Sequence, residues 1–568
     1  MTDPRAVQDG GVGLLEPESD PGSSRPPLLL GDEAVALGAL HAGIAAAYAY
    51  PGTPSTEIFE YLEAHAGPDV AARWCTNEKT AYEQALGVSM GGGRALVSRK
   101  HVGLNVAADP FVNSALVRIR GGLVVAVADD PGMHSSQNEQ DTRYLAEFAR
   151  VPCLEPATQQ EAYEMVREAF DLSERFHVPV VVRMVTRLCH SRAEIRTSPR
   201  SPRRVPDRPD DPSSWTLLPA NARRLWRELL DTRREMDAWT GDTRWNERSL
   251  DTVGEGEAKA PLGIVTAGIG RSHYRENVPL LDEGPPHLHL GAYPLPGERL
   301  RALAARVESI LVLEEGYPFV EERLRGVLPH QVEILGKGSG HLPPSGELTP
   351  DAVREALGLE PAPALRLSSL ELPARPPQLC RGCPHRDSYH ALSSVLRDVE
   401  EWVVTGDIGC YTLGALPPFQ VLDSCVCMGA SIGMAKGASD AGIRPALAVI
   451  GDSTFLHSGL TALADAAADD TDLTVLILDN ETVAMTGQQP TTLSHSRLVP
   501  LVLALGADEE HVHLVEVHPK KVDELEDALR REVEHPGLSV LVLVRECVES
   551  ARKRKAAERA EARSGSGS

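Results

Sequence analysis

Short runs of apolar residues recur along this chain, and stretches of alanine-rich, helical composition separate them. Between residues 28 and 196 the runs 45–50, 95–98, 123–128 and 178–182 predict strands with helices between them. Such alternation is the rhythm of a parallel sheet covered on both faces. Residues 197–258 lose this periodicity and become rich in Arg, Pro and Asp, which predicts a linker around one polar helix near 220–238. A shorter alternating region occupies 259–358, with strands expected at 263–266, 287–290 and 309–313. The Pro-rich segment 359–378 marks a second boundary, and 379–548 forms the last large unit, with strands at 446–450, 473–478 and 539–544. The charged segment 549–568 ends in Gly and Ser and reads as a flexible tail; residues 1–27, acidic and rich in Pro, Gly and Ser, read as disordered. The pattern predicts a multi-domain α/β protein with two doubly wound parallel-sheet domains and a smaller α/β domain between them.

Composition narrows the class. At 568 residues the chain is long enough for several domains, and 42% hydrophobic content supports folding around proper cores. A formal charge of −24 argues against general nucleic-acid binding, because neutralising phosphates needs a basic surface. No apolar run approaches the roughly 20 residues of a membrane helix, and the N-terminal stretch has no signal-peptide core, so a cytoplasmic location is expected. Nine cysteines are too few for a disulfide scaffold of this size; in a reducing compartment the clustered ones are better read as metal ligands.

The most specific chemistry lies in the last unit. Gly451-Asp452-Ser453 closes one apolar run and Asp479-Asn480 closes the next, with a helical stretch at 460–470 between them. This places a carboxylate and an amide at the carboxyl ends of two parallel strands, where doubly wound sheets collect ligands. The two oxygens suit Mg²⁺, which in turn holds a diphosphate. Gly451 allows close backbone approach, Thr482 is a third candidate ligand, and Asp407, Gly429 and Ser453 are candidates to border the cofactor. With Thr486-Gly487-Gln488-Gln489 following, the spacing resembles the thiamine diphosphate motif, Ser453 standing where a third glycine is usual.

Three further segments carry a closer resemblance. Tyr50-Pro51-Gly52-Thr53-Pro54-Ser55-Thr56-Glu57-Ile58 resembles the pyrimidine-domain motif of 2-oxoacid:ferredoxin oxidoreductases. The runs from Lys100-His101-Val102-Gly103 to Asp109-Pro110 and from Ala128-Asp129-Asp130 to Gln140-Asp141 are similar to the alpha subunits of the indolepyruvate:ferredoxin oxidoreductase family. The resemblance covers roughly 28–547 and implies that 28–196 binds the aminopyrimidine, 379–548 binds the diphosphate, and 259–358 is a transketolase C-terminal-like domain. It makes Glu78 the carboxylate that activates the pyrimidine ring, whereas position alone would suggest only a helix-opening glutamate favoured by the dipole. It also makes Thr53 face the substrate carboxylate and places Lys100 and His101 in the same cleft, although His101 read by itself is compatible with a core histidine.

Cys380 and Cys383 form Cys-x-x-Cys, which alone fits a redox pair, a zinc site completed by His385 or His390, or part of an iron–sulfur site. Cys410 and Cys547 each follow an expected strand, and Cys425 and Cys427 compete as ligands; Cys75, Cys153 and Cys189 sit singly beside apolar runs. The resemblance implies that Cys380, Cys383, Cys410 and Cys547 bind one [4Fe–4S] cluster. It further implies oxidative decarboxylation of a 2-oxo acid, an arylpyruvate such as indolepyruvate, to an acyl-CoA, with a smaller beta subunit as partner in an (αβ)₂ assembly. Archaeal alpha subunits of this type carry a ferredoxin-like domain with eight clustered cysteines; no cysteine follows Cys547 here, so electrons are expected to pass to an external ferredoxin or another subunit. Two rival readings are a non-oxidative thiamine-dependent decarboxylase or carboligase and a degenerate assembly subunit.

Overall fold

The computed structural model describes residues 26–249, 258–328, 331–363 and 376–565, and its chain divides into two compact units at Ser368/Ser369. Most of the expected disordered start and of the Pro-rich boundary, and the last three Gly/Ser residues, lie outside the described residues.

The first unit holds a seven-stranded sheet in the order Ala292–Tyr293, Cys153–Leu154, Val180–Val185, Leu123–Asp129, Ala95–Lys100, Ala46–Ala49, Ala71–Trp74. All neighbours are parallel except the first pair. Every residue of Leu123–Asp129 and Val180–Val185 is buried, as continuous apolar strands packed by helices on both faces must be. Chain order reverses between Ala46–Ala49 and Ala95–Lys100, which opens a crevice at their carboxyl ends.

A five-stranded sheet follows, ordered Glu333–Leu335, Val307–Leu313, Ala260–Ala267, His287–Leu290, Arg248–Ser249. It is less separate than the composition suggested. Ala292–Tyr293, from the expected middle domain, pairs antiparallel with Cys153–Leu154 at the edge of the first sheet. A buried ionic knot adds to this: Arg183 Nε donates to Asp129 Oδ2 at 2.7 Å and also bonds Glu155, Arg143 Nη1 meets Glu314 Oε2 at 2.8 Å, and Tyr293 OH donates to Glu155 Oε2 at 2.6 Å. The expected linker also packs. Its helix runs Pro219–Asp242, and Leu229 and Met236 reach the core of the first unit, because leucines spaced at one turn give this charged helix an apolar stripe.

The second unit is a six-stranded all-parallel sheet in the order Ser424–Cys425, Val403–Gly406, Ala446–Gly451, Leu473–Asp479, Leu538–Val544, Val512–Glu516. Alternate residues serve opposite faces: Leu447, Val449, Leu476, Leu478, Leu541 and Leu543 join one core, while Ala448, Ile450, Val475, Ile477, Val540 and Val542 join the other. The order reverses between Val403–Gly406 and Ala446–Gly451, again opening a crevice at carboxyl ends. The segment expected to be a flexible tail is instead helical over Val548–Gly565, as its Ala, Glu, Lys and Arg content favours. Among the described residues no helix is long and apolar enough to cross a membrane.

Candidate functional site

Glu78 opens the helix Glu78–Met90, behind the N-cap Asn77, whose Oδ1 accepts from Thr80 N at 2.8 Å. The side chain is buried and lies against residue 103: a Cβ there would stand 2.6 Å from Glu78 Oε1 and 2.8 Å from its Cγ. Gly103 is therefore a cradle, and any larger residue would displace the carboxylate. Arg99, fully buried, donates from Nη1 to the Glu78 carbonyl at 3.2 Å, and its guanidinium carbon lies 5.3 Å from the Tyr82 ring centre. Burial lowers the Arg99 guanidinium to about 10, and its Nε and Nη2 have no hydrogen-bond partner.

The next two residues reach the loop that follows the Leu123–Asp129 strand. Lys100 Nζ donates to Ser135 O at 2.8 Å, while Ser135 Oγ donates to Thr53 O at 3.0 Å. The Lys100 stem covers Gly52, where a Cβ would meet its Cδ at 3.2 Å. Burial pulls the Lys100 ammonium down to about 8. His101 pairs through Nε2 with Asn138 O at 3.2 Å; burial lowers it, so the ring is neutral, Nε2 carries the proton, and Nδ1 is left as a buried acceptor without a partner. Asp130 holds the loop itself, accepting from Ser135 N at 2.9 Å, Ser136 Oγ at 2.6 Å and Thr186 Oγ1 at 2.8 Å. Thr53, Glu78, Lys100 and His101 thus gather at the carboxyl ends of the strands flanking the order reversal. Arg99, Gly103 and Asp130 belong to the same arrangement and were not singled out from the sequence, although Gly103 stands inside the quoted Lys100 run.

In the second unit, Asp452 follows the Ala446–Gly451 strand and Asp479-Asn480 ends its neighbour. Asp452 Oδ1 accepts from Ser453 N at 2.7 Å, but Oδ2 is buried without a partner. Asp479 repeats this: one oxygen accepts from Glu481 N at 3.0 Å and the other is orphaned. Burial and the adjacent Asp479 charge raise the Asp452 carboxyl well above its ordinary range. Asn480 Oδ1 accepts from Thr482 N at 3.1 Å and Nδ2 faces His385 Nε2 at 3.3 Å; the Thr482 hydroxyl donates to Gln489 O at 3.2 Å. Two adjoining carboxylates with unpaired oxygens, beside an amide and a hydroxyl with spare lone pairs, match what a hard divalent cation requires. Asp479 was not among the expected ligands, and nothing but its place beside Asn480 pointed to it.

Asp407 and Gly429 are tied to one another. The Asp407 carboxylate accepts from Ile408 N, Gly429 N, Ser431 N and Ser431 Oγ at 2.8–3.1 Å, which uses its lone pairs and fixes the start of the helix Ala430–Asp440. Gly429 is left-handed, with φ +87°, and a Cβ would meet Ser458 Cβ at 2.4 Å. At Gly451 a Cβ would collide with the Tyr411 ring at 2.6 Å.

Cys380, Cys383, Cys410 and Cys547 line one pocket together with Asn480, His385, Leu379 and Leu413. Cys383 N donates to Cys380 O at 3.1 Å across a turn in which Gly382 takes φ +83°. Cys547 N donates to Asn480 O at 3.3 Å, and Arg545 Nη2 donates to Gly382 O at 3.1 Å while its Nη1 pairs with Asp387 at 2.6 Å. Cys425 and Cys427 are exposed and do not line this pocket; Cys425 Sγ lies 3.8 Å from Asp407 O. A zinc ion would need its sulfurs about 3.8 Å apart, yet among the described residues these cysteines form no group with ligand atoms all within 4.8 Å. Of the histidines weighed for zinc, His385 lines the same pocket, lowered to about 4 by burial with its ring facing Asn480, while His390 packs on Phe419.

Residues 407–543 match the family model "Thiamine pyrophosphate enzyme, C-terminal TPP binding domain", and residues 37–217 match "Pyruvate flavodoxin/ferredoxin oxidoreductase, thiamine diP-bdg". The indolepyruvate oxidoreductase subunit IorA of Archaeoglobus fulgidus is 35% identical over 554 residues, spanning 91% of this chain and 86% of that one. Its counterpart in Thermococcus kodakarensis is 36% identical, over 92% and 85% of the two chains. The ketoisovalerate oxidoreductase subunit VorB of Methanothermobacter thermautotrophicus is 25% identical over 163 residues, 27% of this chain and 46% of that one.

Proposed function

The chain belongs to the family of indolepyruvate oxidoreductase subunit IorA, and on that premise we propose that it oxidatively decarboxylates an aryl-substituted 2-oxo acid such as indolepyruvate. The 2-oxo acid anion and CoA thiol give acyl-CoA, CO₂, one proton and two electrons; the C1–C2 bond breaks and a C–S bond forms. Thiamine diphosphate with Mg²⁺ would supply the electron sink for loss of CO₂, and a [4Fe–4S] cluster held by Cys380, Cys383, Cys410 and Cys547 would supply one-electron redox chemistry towards a ferredoxin.

Asp452 and Asn480, with Thr482, would hold the Mg²⁺, the orphaned Asp452 oxygen being the strongest support. Glu78, held in place by Gly103, would hydrogen-bond the pyrimidine ring and keep the proton there that favours its reactive tautomer. Lys100 would offer a cation to the substrate carboxylate near Thr53, and the unpaired Nδ1 of neutral His101 would accept a proton or a hydrogen bond in the same cleft. A smaller beta subunit in an (αβ)₂ assembly, and a cytoplasmic location, complete the reading.

The observation that carries the oxidative branch is the convergence of four cysteines on a pocket that also includes the Asn480 amide. Anaerobically purified chain, with and without a beta partner, should contain about four irons and should reduce a viologen dye with indolepyruvate and CoA. Aldehyde release without iron or dye reduction would replace this reading with a non-oxidative decarboxylase. Failure of thiamine diphosphate and Mg²⁺ to bind saturably would leave an assembly subunit.

A further inference from the structure

Three side chains from separate helices meet in the first unit. Asp32 lies in the first turn of Gly31–His41, Glu57 in the first turn of Thr56–His65, and His190 ends Thr186–His190. One ligand atom from each lies within 4.8 Å of the other two. His190 Nε2 stands 3.6 Å from Glu57 Oε2.

Asp32 is 0% exposed, and neither of its oxygens has a hydrogen-bond partner, whereas half-buried Glu57 pairs through Oε2 with His190. An acidic residue in the first turn of a helix commonly serves the free backbone N–H groups, but here that task is taken: Glu33 Oε2 accepts from Leu30 N at 2.7 Å. The nearby Cys189 thiol is only a weak donor. Burial, with Glu57 adding to it, raises Asp32 to about 8. A fully buried carboxyl group with two unpaired oxygens, facing the Glu57–His190 pair, is costly, and a cation bound among the three side chains would remove that cost.

We propose that Asp32, Glu57 and His190 form a binding site for a divalent first-row metal ion, with one imidazole nitrogen and two carboxylate oxygens as donors. That donor set matches three-ligand zinc sites, with water completing the shell. His190 is partly exposed and provides the entry side. Because Glu57 continues the Gly52–Thr56 turn, in which Gly52 N donates to Thr56 Oγ1 at 3.1 Å, the ion would tie the base of that turn to the starts of two helices and the end of a third.

The test compares full-length wild type, Asp32→Asn and His190→Ala after removal of metal and reloading with Zn²⁺ or Co²⁺. The cysteine pocket and the Asp452 site are common to all three proteins and cancel in the difference. Wild type should retain one more equivalent than either variant. The extra Co²⁺ should show ligand-field absorption without thiolate-to-metal charge transfer, and Zn²⁺ should raise the unfolding midpoint of wild type more than that of His190→Ala. Equal metal contents, or a thiolate signature in the extra equivalent, would overturn the proposal. Should Asp32→Asn not fold, His190→Ala, altered at a partly exposed position, carries the comparison alone.

Discussion

A Cβ on residue 103 would sit 2.6 Å from Glu78 Oε1, so the helix backbone and the carboxylate share space that only glycine leaves free. Gly103→Ala should lower turnover about 10²-fold, within the range that a misplaced acid–base group costs, while binding of thiamine diphosphate and Mg²⁺ persists; comparing dye-reduction rates with cofactor titrations checks this. Lys100 makes a second prediction. Its ammonium releases its proton near pH 8 when folded, against an ordinary value of 10.5. The unfolded chain therefore holds more protons between these limits, and stability attributable to this residue rises as pH rises through that window. Denaturant titrations of wild type and Lys100→Met should differ most at neutral pH, with the variant more stable, and converge towards pH 10. A difference that does not change with pH would sink the assignment.

Single residues act through the elements that present them, and the four-cysteine pocket is built from three. The turn before Pro384–Leu396, the short helix at Cys410 and the exit of Leu538–Val544 each bring thiols to one place. Cys547→Ser should abolish stoichiometric iron, whereas Cys425→Ser and Cys427→Ser should leave iron content and the cluster spectrum unchanged, measured on anaerobically purified protein. The opposite ranking would move the fourth ligand to the Ser424–Cys425 strand.

The elements themselves are tied together over long sequence distances. In the first unit Arg143 and Arg183 are fully buried among Asp129, Asp141, Glu155 and Glu314, linking the seven-stranded sheet to the region of the five-stranded one. Arg183→Leu would strand buried carboxylates and should cost about 3–5 kcal/mol, read as a lower denaturant midpoint; a change under about 1 kcal/mol, the worth of an exposed pair, would show that the knot is not what holds these regions.

Much of this was already written in the chain. Local composition determined the parallel sheets: continuous apolar runs can be satisfied only as strands buried on both faces, and Gly451-Asp452 with Asn480 had to fall at carboxyl ends because each closes such a run. The motif from Tyr50 to Ile58 and that from Lys100 to Pro110 identified the family. Tertiary structure decided what depends on partners distant in sequence. It put the linker helix into a core, lent Ala292–Tyr293 to the first sheet, chose Cys547 over Cys425 and Cys427 for the thiol pocket, and set Asp479 beside Asp452. It also brought Asp32, Glu57 and His190 within reach of one another, which no spacing could announce. Periodicity encodes which face of an element is buried, but the identity of the neighbour across that face is settled only when the whole chain packs.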